Sequence, residues 1–146
     1  MIQPLSGIQN TVAALDAERT RLDVISENIA NANTAHGIDG KPYQRKVVVF
    51  ENTLQEAMGA ANGNGNGAFT GQLHVARIQS DNRPPISIYE PGNPDADEKG
   101  MVAMPNINVH EEMADLISAS RAFEANLAVV KNEKSMAMQT LAIGKH

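Results

Sequence analysis

The stretch VHEEMADLISASRAFEANLAVVKNEKSMAMQTL, residues 109–141, decides the fold. Within it Val109, Met113, Leu116, Ser120, Phe123, Leu127, Val130, Lys134, Ala137 and Leu141 follow one another at alternating steps of four and three. Eight of these ten positions are apolar, and only Ser120 and Lys134 break the stripe. A heptad pattern of this length is the signature of a helix that packs along a seam, as in a coiled coil. No proline or glycine interrupts residues 106–143, while Pro105 stands before them and Gly144 just after. Asn108 followed by Glu111 reads as a capping box at the start. Such a helix is about 50 Å long, too long for a compact domain of this size. Residues 106–146 are therefore expected to form a C-terminal heptad helix.

Working back toward the N-terminus, a second helical stripe precedes the first in the chain. Ile8, Val12, Leu15, Leu22, Ile25 and Ile29 recur at steps of three, four or seven, the spacing of one helix face. Ser6 is the candidate N-cap, and Asn31, Asn33, Thr34 and Gly37 supply stop signals. Arg19 stands where the stripe should continue between Leu15 and Leu22. Residues 1–36 thus make an N-terminal helix that pairs with the C-terminal one as a coiled-coil-like hairpin.

Residues 37–105 have a different texture. Lys41–Asn52 runs through Val47, Val48, Val49 and Phe50 as a strand. Gln72–Ser80 and Ile86–Tyr89 read as further short strands, separated by Asp81–Pro85 with its Pro84-Pro85 pair. Gly59–Gly71, centred on three Asn-Gly pairs, is expected to be loop. The fold class that follows is mainly α with a small β insert, an α+β arrangement.

Composition removes several functions. The 146-residue chain has a net charge of −5, and its basic residues form no long run, so nucleic acid is not an expected partner. It has no cysteine, which excludes disulfides, thiolate metal sites and thiol nucleophiles. Its longest strongly apolar run, Val47–Phe50, falls far short of the roughly 20 residues that span a bilayer. No positive charge precedes Arg19 and no apolar leader follows Met1, so no cleavable signal peptide is read. Aromatic residues make up only 3%, leaving aliphatic side chains, Ala and Met to do the packing.

No chemistry-bearing motif survives inspection. The glycines at 63, 65 and 67 lack the Gly-Lys-Ser/Thr of a phosphate loop. Asp95, Asp97 and Gly100 resemble the start of a calcium loop, but Lys99 and Asn106 occupy positions where ligands belong. That segment reads as a solvated acidic turn. The four histidines are scattered, and Glu111 and Glu112 suit the positive end of a helix dipole. Catalysis, cofactor, metal and small-molecule substrate are accordingly not expected. The apolar stripes are broader than two paired helices can cover, since Ile117, Val129, Met136 and Met138 lie off the seam. Surplus apolar surface of this kind marks a protein interface. With Ser120, Lys134 and Arg19 weakening the seam, the helices are expected to order mainly on assembly.

Residues 21–34, RLDVISENIANANT, resemble the N-terminal signature of the flagellar rod and hook axial proteins, with Asn28, Ala30, Asn31 and Thr34 in the matching places. Residues 40–46 and 104–109, together with Tyr89, Pro91, Gly92, Asn93 and Pro94 of the 89–97 stretch, are similar to the proximal rod proteins of the FlgC type. That resemblance implies a non-enzymatic structural subunit, exported by the flagellar type III apparatus without a cleaved signal. It further implies assembly in the periplasm, with copies of itself and other rod proteins, into the torque-carrying rod between membrane ring and hook. The terminal helices would line a central export channel, and membrane-ring or adaptor proteins and the export apparatus would be further partners. Two other readings remain open at this point: a different rod or hook subunit, and a soluble helical export chaperone or secreted binding module.

Overall fold

A computed structural model describes residues 4–37, 39–54 and 71–144. Two helices frame the chain, α1 over Pro4–Ala30 and α2 over Val109–Ile143. Between them lie β1 (Lys46–Leu54), β2 (Gly71–Ser80), β3 (Ile86–Tyr89) and β4 (Met101–Met104). Helix α1 opens on a proline, whose missing N–H is no loss in a first turn, so Ser6 lies inside the helix rather than capping it. It stops at Ala30, short of Thr34, because the next residues close a turn: Thr34 N–H donates to the Asn31 carbonyl at 3.1 Å. Helix α2 begins where the capping signal sits. The Asn108 side chain accepts from the His110 N–H, and Gly144 ends the helix with a bond to the Thr140 carbonyl.

The helices run antiparallel. Asn28 meets Glu112, Arg21 lies 4.0 Å from Asp115, and a Cβ on Gly7 would stand 3.4 Å from Glu133. The face of α2 turned inward is displaced from the expected seam. Glu112 and Ala119 are buried, and Leu116, Phe123, Asn126, Val130 and Glu133 are half-buried. Met113, Leu127 and Leu141, by contrast, are 50%, 37% and 73% exposed. Opposite this face α1 presents Ala17, Val24, Ile25 and Asn28. Small residues, Ala17 and Ala119, lie where the helices pass, and interaxial distance shrinks when contact side chains are small. Arg19 interrupts nothing: it points to solvent, and Ala17, Glu18 and Arg21 fill the inner face at that turn.

The β residues form two separate antiparallel ribbons, β1–β2 and β3–β4. Ribbon β1–β2 pairs Lys46 with Ser80 at one end and carries a bulge between Val49 and Phe50, which sharpens its twist. It packs on α1. Strand β4 was not among the expected strands; it pairs Met101 with Tyr89 and Met104 with Ile86. The first strand starts at Lys46 rather than Lys41, since the backbone N–H groups of Gly37, Gly40 and Tyr43 are engaged in local turns. The expected Asn-Gly loop falls outside the described residues except for Gly71, which opens β2. Among the described residues the buried apolar set is Ala17, Val24, Ile25, Ala32, Val102 and Ala119, a thin core of the kind a chain poor in aromatics can build.

Candidate functional site

Where α1 ends, α2 begins and the β1–β2 ribbon starts, the buried side chains are polar. Asn28, in the last turn of α1, and Glu112, in the first turn of α2, are each 1% exposed. An amide offers two N–H donors and two acceptor lone pairs, and Asn28 uses all four. It donates to the Lys46 carbonyl at 2.9 Å and to Glu112 Oε2 at 3.1 Å. It accepts from the Lys46 N–H at 2.9 Å and from the Tyr43 hydroxyl at 3.1 Å. One side chain therefore ties the first residue of β1 to both helices.

Glu112 is held from the other side by Arg45, whose Nε donates to Oε1 at 2.6 Å. A buried carboxylate is tolerated only with charge compensation and satisfied lone pairs, and Arg45 with Asn28 provides both. The helix N-terminus adds a favourable dipole. Arg45 also reaches Asp81, just past β2, at 3.5 Å, and Asp81 N–H donates to the Arg45 carbonyl at 2.7 Å. Burial works against the guanidinium charge, yet the hydrogen bond and charge of Glu112, aided by Asp81, outweigh it and raise its pKa further. Tyr43 is pushed up to about 12, by burial first and then by the charges of Glu27 and Glu112. Beneath this cluster lies a cavity of about 260 Å³, walled in part by Val24, Val47 and Phe50. The acids and bases at the junction are paired with one another, so it is built to hold elements at a fixed angle rather than to move protons.

The other motif residues shape turns. Asn31 Nδ2 donates to the Glu27 carbonyl at 2.9 Å, beside the bond that its own backbone N–H makes to the same oxygen at 3.1 Å, and the Thr34 hydroxyl donates to Asn31 Oδ1. Ala30 is the exposed last residue of α1. Pro91, Gly92, Asn93 and Pro94 lie in the loop joining β3 to β4. There Asn93 accepts from Asp95 N–H at 3.1 Å, and Asp97 Oδ1 accepts the N–H groups of Lys99 and Met101. The carboxylate thus serves an acidic turn. Gly100 closes it at φ 73°, where a Cβ would come within 3.0 Å of the Tyr89 ring; glycine is required on both counts.

The candidate seam residues divide between inside and outside. Ile25 is buried; Ile8, Leu15, Leu22, Ile29, Val109, Leu116, Phe123 and Val130 are half-buried; Val12, Met113, Leu127 and Leu141 are exposed. The junction residues Glu112 and Asp81 were not among the candidates. A signal for Glu112 was present, since it lies four, seven and eleven residues before Leu116, Ala119 and Phe123, on their face of the helix.

Two family profiles match the chain, "Flagella basal body rod protein" over residues 8–35 and "Flagellar basal body rod FlgEFG protein C-terminal" over residues 98–143. They cover most of α1 and all of α2, and with them Asn28 and Glu112. The flagellar basal-body rod protein FlgC of Escherichia coli O157:H7 is 44% identical over 91% of this chain and 92% of its own. The protein of the same name from Borreliella burgdorferi is 41% identical over 94% and 95%. That of Bacillus subtilis is 36% identical over 92% and 94%.

Proposed function

Because this chain belongs to the flagellar basal-body rod protein family, we propose that it is a structural, non-enzymatic subunit of the proximal rod of the bacterial flagellum. The observation that carries this is end-to-end similarity: relatives named as rod proteins match over nine-tenths of both chains at 41–44% identity. The geometry supports it. The buried polar groups at the junction are paired with one another, and apolar side chains such as Met113, Ile117, Leu127, Met136 and Leu141 face outward along α2. A rod subunit needs both features, a braced angle between helices and insert and an apolar surface for neighbours.

In finer terms, the subunit assembles in the periplasm with copies of itself and other axial proteins. It passes torque from the membrane ring to the hook and is exported without a cleaved signal. The paired helices form the inner, channel-facing layer and the β ribbons the outer one. Contacts with ring or adaptor proteins and the export apparatus belong to the same proposal.

The test is a deletion strain complemented with variants, scored for motility and for the chain in purified basal bodies. Leu127→Asp should abolish both at normal expression, because a charge would enter the interface that the outward Leu127 face makes. Lys99→Ala, in the acidic turn, should swim normally. A wild-type chain absent from basal bodies but bound to one soluble partner would point to a chaperone instead.

A further inference from the structure

Among the described residues the last three turns of α2 have no partner. The register that sets Gly7 beside Glu133 carries residues past about 136 beyond the described start of α1, and residues 134–144 are all exposed. On this overhang Lys134, Ala137, Met138 and Leu141 share one face by their i, i+3, i+4, i+7 spacing. Lys134, Ala137 and Leu141 also prolong the heptad stripe past the described start of α1. Met138 is 60% and Leu141 73% exposed, a degree of exposure that apolar side chains on a lone helix end do not otherwise need.

Helix α1 carries a matching surface that no residue of α2 lines. Ile8, Gln9, Val12, Ala13 and Asp16 line a shallow, wide-open groove, with Val12 44% exposed. Apart from the Gln9 amide the groove is apolar up to Asp16, whose carboxylate ends it. The overhang has the complementary order, with Lys134 first and Leu141 last. From Asp16 to Ile8 is roughly 12 Å along a helix and from Lys134 to Leu141 roughly 10.5 Å, so the two faces coincide in antiparallel register. A parallel register would put Lys134 on Ile8 and Leu141 on Asp16.

We propose that the α2 overhang of one copy seats in the α1 groove of a second copy, with Lys134 beside Asp16, Met138 over Val12 and Leu141 near Ile8. The two patches lie on different surfaces of the same chain, so each copy can give its overhang to one neighbour and receive that of another. That is a heterologous contact, which propagates rather than closing a dimer. The proposal rests on the rod-subunit reading and adds to it a direction and a register.

The cysteine-free chain makes a clean cross-linking test. Val12→Cys/Met138→Cys and, as a second pair, Ile8→Cys/Leu141→Cys are expressed in the deletion strain, and purified basal bodies are oxidised. The expected result is a ladder of cross-linked copies from either double variant and none from any single variant. Adding Asp16→Lys should slow cross-linking about threefold, the scale of an exposed ion pair, and Lys134→Glu in the same chain should restore it. Dimers from single-cysteine variants would show like faces meeting, and cross-links to another rod protein would show a different occupant; either overturns the proposal. So does the lack of any ladder when the chain is present in the basal bodies. A wild-type chain absent from those preparations would instead sink the rod reading beneath it.

Discussion

Asn28 and Glu112 sit in a region where most proteins would place leucines, and the difference decides how the junction fails. Arg45→Ala leaves the Glu112 carboxylate buried with only an amide donor, and breaking a buried ion pair in this way costs about 3–5 kcal/mol. The double variant Arg45→Ala/Glu112→Gln removes the stranded charge and should recover part of that loss. Denaturant unfolding of the folded chain measures both, and an Arg45→Ala loss below about 1 kcal/mol, the range of an exposed pair, would mean the site is wet. Tyr43 supplies a pH readout. Its hydroxyl donates to Asn28, and its pKa is pushed up from 10.0 to about 12. The folded state therefore keeps a proton that the unfolded state gives up near pH 10. This contribution to stability is fully present below pH 10 and falls away as pH rises toward 12. In a Tyr89→Phe background Tyr43 is the lone phenol, so absorbance titration of the folded chain should show phenolate appearing well above pH 10.

Helix α2 changes character along its length. Its first turns hold Glu112 and Ala119 buried, its middle is half-covered, and residues 134–144 are exposed. Most helical stability comes from tertiary packing, so protection should decline along the same gradient. The expectation that the helices order mainly on assembly becomes a graded one. In hydrogen exchange on the monomer, amides of residues 112–123 should be the slowest of α2 and those of 134–143 the fastest. Uniform protection would refute it. The ends of this helix were legible in the residues: Asn108 caps the start with its side chain, and Gly144, though its φ of −75° uses none of glycine's freedom, stands where the helix stops. Its inward face was less so: a heptad search follows the bulkiest apolar side chains, while the contact with α1 uses Ala119, Asn126 and the carboxylate of Glu112. The same bias concealed β4, since Met101–Met104 has no polar alternation and runs into Pro105. Asn31 and Thr34 were legible as stop signals, but Asn28 was identifiable only through family resemblance; that it joins three elements depends on Lys46, Tyr43 and Glu112, distant in sequence.

At the scale of the whole molecule, the two-helix frame with its β insert could be read from residue patterns, because helix-length stripes need only one neighbour in sequence order. The separation of the insert into two ribbons could not, since it depends on the pairing of Ile86–Tyr89 with a strand across an eleven-residue loop. The antiparallel helices also bring the start of α1 and the end of α2 to the side away from the polar junction. Mechanically the molecule resembles a peg hinged at one end and split at the other, and its resistance depends on where force enters. Tension on the two termini separates the helices one contact at a time, from Gly7 and Glu133 inward, and meets little resistance until the clasp at Asn28 and Glu112. Tension along a single helix axis loads many contacts in shear at once. An optical-trap experiment on the folded chain should therefore show a soft, gradual extension when handles are on residues 4 and 143. One abrupt step at the clasp should follow, and Arg45→Ala should lower the force of that step while leaving the soft phase unchanged. A chain braced in this way is weak against splaying and stiff against twisting and axial load, and neighbouring copies would hold the split end shut.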